Sequence, residues 1–287
     1  MKRAIAAVFT LLVASCHRPP PAAPHYVLGS PYQAGGVWYY PSESYDGAET
    51  GLAIVYPSDH PDLTTDGEIF DQSALTAAHQ TLQLPAIVRL TNLENGLQLV
   101  VRVNDRGPAT PHRMVEVTNR VAVLLRFPSG TPVRARVEVL PAESHAAVDQ
   151  LPGAPKLAIA AAPRGVVQQV DLSSPAAATP VQAPTTEAPR EALPASVTIA
   201  GLPETVTQSA AYPGRLYIQL GTFQTYEYAA IQRSRVGGLG AAIDSTRNGR
   251  TQTHRVYIGP LDSVQQADNV LDQVLRSGVT DARIVVQ

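Results

Sequence analysis

Cysteine, tryptophan and phenylalanine are scarce in this sequence: one, one and four in 287 residues. A single cysteine excludes an intramolecular disulfide and any metal site built on cysteine pairs. Charge is also sparse. Asp, Glu, Lys and Arg make up 16% of the chain and the net charge is −2, where about 25% charged residues is usual for soluble domains. With no basic field to hold a phosphate backbone, nucleic acid is not an expected partner. There is no glycine-rich phosphate loop, and the seven histidines are scattered without ligand spacing, so no metal, nucleotide or organic cofactor is expected. The apolar run Ala4 to Ala14 falls short of the roughly 20 residues that a permanent membrane helix needs. Proline is what the chain has in excess. Its 25 prolines are more than a packed fold of this length uses and predict a long linker.

The N-terminus reads as an export signal, 1–15. Lys2 and Arg3 precede the apolar run, which has the length of a secretory h-region. Val13-Ala14-Ser15-Cys16 resembles the lipobox of bacterial lipoproteins. That resemblance implies that Cys16 is lipidated and becomes the new N-terminus, with several acyl chains making a stable membrane anchor. The alternative is an ordinary secretory signal with an incidental cysteine. His17 in place of Asp favours the outer membrane, by analogy with Gram-negative lipoproteins. A tether, 16–25, leads to a first domain at 26–140. From Pro141 to Tyr212 alanine, proline and threonine dominate. Few large apolar side chains remain there to offset the entropy of ordering, so 141–212 reads as linker between domains that need not touch. A second domain occupies 213–287.

The first domain is patterned as β-rich. Ile87 to Thr91 and Leu97 to Val103 are joined by Glu94-Asn95-Gly96, and Asn-Gly is a hairpin signal because both turn residues must tolerate positive φ. Met114 to Val117 is a short strand. Thr118 is placed to cap a helix with the stripe Val121, Leu124 and Leu125. Val133 to Val139 alternates apolar and charged residues, as a half-buried strand does. Ala74 to Ala78 reads as a short turn or helix ending at His79. Many short strands and one helix predict a small closed barrel. The second domain reads β-α-β-β-α-β, a split βαβ sheet with helices on one face. Its open face carries Tyr217, Gln219, Arg255 and Tyr257. Rings beside polar and cationic groups suit a sugar or another planar ligand; the alternative is an ordinary solvated face.

Several stretches resemble the rare lipoprotein A family of septal ring lytic transglycosylases. They are Tyr32-Gln-Ala-Gly-Gly-Val-Trp-Tyr-Tyr-Pro41, Glu49-Thr-Gly-Leu-Ala53, Thr64-Thr-Asp-Gly-Glu68 with Phe70-Asp71, Ala74-Leu-Thr-Ala-Ala-His79, Leu84-Pro85, and Val88 to Gly96 continuing to Val101-Arg-Val-Asn-Asp-Arg-Gly-Pro108. The resemblance implies a six-stranded double-psi β-barrel, a fold related to expansins and some endoglucanases. Tyr217-Ile-Gln-Leu-Gly-Thr-Phe223 and Arg255-Val-Tyr-Ile-Gly-Pro260 resemble a SPOR domain, which implies a ferredoxin-like βαββαβ fold that binds glycan strands stripped of stem peptides, as found at division septa. The implied activity is endolytic cleavage between MurNAc and GlcNAc, leaving 1,6-anhydroMurNAc ends. The implied partners are denuded peptidoglycan, the membrane through Cys16, and septal division proteins. A non-catalytic, expansin-like peptidoglycan binder is the competing reading.

The same resemblance places Asp105, Glu68 and His79 in the cleft. Glycosidic cleavage needs a proton for the leaving oxygen and stabilisation of an oxocarbenium-like centre, tasks that carboxyl groups perform. Asp105, before a Gly-Pro turn, is the expected general acid/base; its alternative is a structural carboxylate accepting turn amides or pairing with Arg106. Glu68 is expected to position sugar hydroxyls or stabilise charge, or else to be a solvated loop acid. His79 is expected to bond substrate or orient a carboxylate, or else to be a buried structural histidine. Tyr56, Glu116 and Arg106 in the barrel, with Gln219, Phe223, Arg255 and Tyr257 in the second domain, are the expected substrate contacts. Three positions depart from the family pattern. Ala53-Ile-Val-Tyr-Pro57 leaves Tyr56 as the aromatic platform, Glu116-Val-Thr118 replaces Asp-Leu-Ser, and Phe70 replaces a tyrosine.

Overall fold

The computed structural model describes residues 21–155, 201–249 and 251–287. The export signal, Cys16 and the middle of the proline-rich stretch lie outside the described residues. In chain order the first domain holds β1 (Tyr32–Ala34), β2 (Val37–Tyr39), β3 (Ala48–Val55), β4 (Thr76–His79), β5 (Ala86–Asn92), β6 (Leu97–Arg106), β7 (Val115–Val117), α1 (Asn119–Leu124), β8 (Val133–Val139) and α2 (Pro141–Val148). Then come β9 (Thr207–Gln208), β10 (Leu216–Phe223), α3 (Tyr226–Arg235), β11 (Ala242–Asn248), β12 (Thr251–Leu261), α4 (Val264–Arg276) and β13 (Arg283–Val286).

Six strands close into a barrel in the order β4-β7-β3-β8-β5-β6, with β6 returning to β4. The pairs β3–β7 and β4–β6 are parallel; the other pairs in the ring are antiparallel. Parallel neighbours need long crossovers, and the two crossovers give the double-psi arrangement. The core is aliphatic, built on Leu90, Leu99, Val101, Val103, Val117, Val121 and Leu125. The β5–β6 hairpin forms at the expected Asn-Gly turn, with Gly96 at φ +76°. The side-chain amides of Asn92 and Asn95 both donate to the Leu125 carbonyl, at 2.9 and 3.0 Å, so the hairpin satisfies an orphan acceptor at the end of α1.

Three local expectations change. Ala74 to Ala78 is not helical: Thr76–His79 is a fully buried strand bonded to β6 on one side and β7 on the other, and tertiary pairing overrides the alanine-rich local preference. Thr118 occupies the N-cap position of α1 but does not cap it, because its hydroxyl donates to the Ala74 carbonyl at 2.6 Å. The stretch expected as linker has ordered ends. Pro141 starts α2, as proline does at a first helical position. Buried Ser144 there exchanges hydrogen bonds with the Ile87 backbone, at 2.9 and 3.0 Å. At the far end β9 pairs with β6, the Ser209 amide donates to the Gly96 carbonyl, and Leu202 and Val206 pack on the barrel core.

In the second domain the strands run antiparallel in the order β11-β12-β10-β13. Ala267, Leu271 and Val274 of α4 are buried with Leu216, Ile218 and Leu220 of β10 in one core, and Ser263 caps α4 through the Gln266 amide. The βαββαβ order is the expected one. The two domains do touch. The Thr50 hydroxyl donates to the Val286 carbonyl and accepts from its amide, at 2.7 and 3.1 Å. Arg113 grips Asp268 with two bonds of 2.7 and 2.9 Å. Leu52 and Leu93 of the barrel pack into the second core.

Candidate active site

The loop after β3 folds over the ends of β6 and β7. It leaves a cavity of about 430 Å³ lined by Tyr56, His60, Thr65, Asp105, Thr110 and Glu116. Asp105 is the penultimate residue of β6. A register shift between Ala77 and Ala78 in the β4–β6 ladder accompanies its turn into the barrel mouth. It is 5% exposed. Its Oδ1 accepts from the Thr65 amide at 2.8 Å, the Thr65 hydroxyl at 2.5 Å and the Arg106 amide at 2.8 Å. Its Oδ2 lies 2.7 Å from His60 Nε2.

The other ring nitrogen of His60, Nδ1, is 2.8 Å from the Pro61 carbonyl oxygen. A carbonyl only accepts, so Nδ1 carries a hydrogen. The His60–Asp105 contact therefore also holds a proton, either as imidazolium facing carboxylate or as neutral imidazole facing acid. His60 stacks on Phe70 with centroids 3.9 Å apart and meets the Tyr56 ring edge-on at 4.8 Å. The Tyr56 ring is thus packed, 5% exposed, rather than presented as a sugar platform. Burial, with Asp105, Glu116 and Asp66 nearby, pushes its phenol far up. The Phe70 substitution gives His60 a flat apolar wall.

Glu116 projects from β7 into this cavity and is 6% exposed. Burial pushes its carboxyl up to about 7; His60 pulls it down and Asp105 pushes it further up. At neutral pH Glu116 is therefore poised between acid and carboxylate, the condition suited to general acid–base work.

Glu68 and His79 are placed elsewhere. The Glu68 carboxylate is held by Arg102 at 3.0 Å and by the Asn104 amide at 2.9 Å. It does not line the Asp105 cavity, so the two expected partners do not share one floor. Arg102 and Asn104 alternate with Val103 and Asp105 along β6, and strand alternation sends them the other way. Asp66 is fully buried beside Glu68. Burial and the Glu68 charge raise it to about 7. His79 Nδ1 accepts from the Thr81 and Leu82 amides at 3.2 and 3.3 Å, and its Nε2 lies 2.8 Å from Glu49. Burial alone would raise Glu49, but His79 and Arg283 outweigh it and bring the carboxyl down to about 2. The Arg106 guanidinium donates to the carbonyls of His79, Leu82 and Leu28, so it staples loops rather than reaching for a ligand. His60 and Thr65 were not distinguished by sequence. Forty-five positions separate His60 from Asp105, and no local period links them.

In the second domain Tyr217 and Tyr257 meet edge-to-face at 5.6 Å. Gln219 and Arg255 line a second cavity of about 340 Å³, with Glu49, Thr50 and Arg136 of the barrel on its other side. Phe223 packs against the domain core.

A closed barrel with two parallel crossovers and acidic groups at one mouth, followed by a βαββαβ domain, defines a double-psi barrel protein with an appended SPOR domain. The family model described as "Lytic transglycolase" matches residues 48–137, and that of the SPOR domain matches 212–283. The endolytic peptidoglycan transglycosylase RlpA of Pseudomonas aeruginosa (strain UCBPP-PA14) is 33% identical over 261 residues, covering 86% of this chain and 74% of its own. Proteins of the same name from Yersinia pestis and Helicobacter pylori are each 40% identical, the first over 150 residues (51% of this chain, 41% of its own) and the second over 97 (32% and 30%). The chain belongs to the RlpA family.

Proposed function

We propose that this chain is an endolytic lytic transglycosylase of the bacterial envelope, cleaving peptide-poor glycan strands between MurNAc and GlcNAc during septal remodelling. The relatives' shared name and the match to the lytic transglycolase model support the reaction class. The observation that carries the chemistry is Glu116, buried and raised to about 7, in one cavity with the His60–Asp105 pair.

In this reading the role of proton donor moves from Asp105 to Glu116. Glu116 protonates the leaving O4 as the C1–O4 bond breaks. Asp105, fixed by Thr65, Arg106 and His60, stabilises positive charge at C1. The sugar's own C6 hydroxyl then attacks C1, its proton passes to the Glu116 carboxylate, and the anhydro ring closes with the acid restored. No water is consumed. Glu68 acts at one remove, anchoring the loop that carries Thr65 to Asp105. The SPOR match supports retention on denuded glycan, with Gln219, Arg255 and Tyr257 as its contacts. Cys16 supplies the membrane anchor, outer membrane in this reading.

Digestion of peptide-free glycan followed by mass analysis tests this. The expected products are one water lighter than hydrolytic ones and disappear with Glu116→Gln. Intact strands that nevertheless co-sediment with the protein would favour the non-catalytic binder. For the anchor, Cys16→Ser should move the chain from the membrane to the soluble fraction; an unchanged distribution would count against lipidation.

A further inference from the structure

We propose that the junction between the barrel and the second domain is a saccharide subsite, separate from the catalytic cavity and adjoining the cavity at Gln219 and Arg255 through Glu49 and Arg283. The proposal rests on the reading of the protein as acting on glycan strands. The only tryptophan of the chain, Trp38, is 43% exposed in the middle of β2, opposite Gln33 of β1, and Tyr40, just past the end of β2, is 61% exposed. Their rings stack at 6.4 Å and 28°. Two large flat rings held in water side by side are costly as decoration and useful as a platform. The hairpin that carries them is fixed. Tyr32 stacks on Tyr39 at 5.3 Å, and its hydroxyl donates to the Gln80 carbonyl at 3.0 Å.

These rings border a cavity of about 330 Å³ whose opposite walls come from different domains: Glu49 and His79 from the barrel, Asp281 and Arg283 from the second domain. That volume lies in the range of small-ligand sites. The wall chemistry is that of a sugar site. Flat rings meet the apolar C–H face of a pyranose, while a carboxylate and a guanidinium meet its hydroxyl rim. Glu49 is ionised and accepts, His79 donates its Nε2 hydrogen to Glu49 and so fixes that carboxylate, and Arg283 is 58% exposed while only 3.3 Å from Glu49. In a strand without stem peptides the lactyl groups end in free carboxylates, which suits Arg283. The ligand is thus a peptide-free amino-sugar segment, gripped only while the two domains are together.

Trp38 makes the site its own reporter. The full chain carrying Glu116→Gln is titrated with peptide-free glycan oligosaccharides, with chitotetraose as a second probe, and tryptophan emission is followed. A saturable change is expected for both, tighter for the carboxylate-bearing strand, with Tyr40→Ala weakening binding about tenfold and Arg283→Ala several-fold. Silent emission while the oligosaccharide co-sediments with the protein overturns the subsite. So does a response indifferent to both substitutions, or one seen only with stem peptides. Product analysis of the unsubstituted chain is run in parallel. Anhydro products with silent emission sink the subsite and leave the enzymatic reading standing; responsive emission without products does the reverse.

Discussion

Glu116 and Glu68 are the same residue type in the same barrel, both largely buried, yet their surroundings give them opposite prospects. Glu68 faces a guanidinium and an amide that satisfy its carboxylate. Glu116 faces a cavity and a neighbouring aspartate, and burial raises it to about 7. The lesson is that a carboxyl group becomes a proton donor when its charge is poorly compensated, and a scaffold element when it is well compensated. A motif that contains both does not say which is which.

The sharpest way to break this comparison is to neutralise each in turn. Glu116→Gln is expected to lower kcat by about 10²–10⁴-fold, the usual worth of a general acid. Glu68→Gln should lose much less activity, and equal losses in kcat would erase the distinction. Glu116→Asp retracts the carboxyl by one methylene and should cost about 100-fold. For pH, the raised value gives a clear sign. The acid form is the active one, so the rate should fall as pH climbs through about 7, and that limb should vanish in Glu116→Gln. Stability follows the same sign. A carboxyl raised from 4.5 to about 7 favours the folded state below 4.5, and that contribution is lost as pH rises through about 7. Thermal unfolding of both forms across that window measures it.

Smaller effects sharpen the contrast. His60→Ala should lower kcat about tenfold with little change in KM, since it holds Asp105 rather than substrate; a change in KM alone would reassign it. Glu68→Ala should cost about 1–3 kcal/mol in chemical denaturation, because it strips a largely buried Arg102 of one partner. The smallest effect expected is for Thr50→Val. It removes the paired bonds to Val286 and should lower stability by about 1 kcal/mol. An unchanged melting profile would mean that the domain contact contributes little.

Much of the architecture was legible because it is written in local periods. The Asn95-Gly96 hairpin, the alternation of Val133 to Val139 and the α4 stripe each follow from spacing alone. Ala74 to Ala78 carries no local period of its own, because a strand bonded on both sides takes its conformation from its neighbours. The ends of the proline-rich stretch are ordered for a similar reason. Ser144, Leu202 and Val206 are too few to make a core but sufficient to dock on one. In the site, Asp105 and Glu116 were visible as residues. The tie of Asp105 to His60 was not, since the two meet only through the fold of the loop after β3.

The sequence by itself determined the family, the two folding units and the set of acidic residues from which a site must be drawn, because motif words and apolar periods are short-range properties of the chain. Only the tertiary structure decided which carboxyl lies in a cavity and which lies against a guanidinium, and that the two domains share a wall. Burial and charge compensation depend on neighbours distant in sequence, and these are what set where a proton resides.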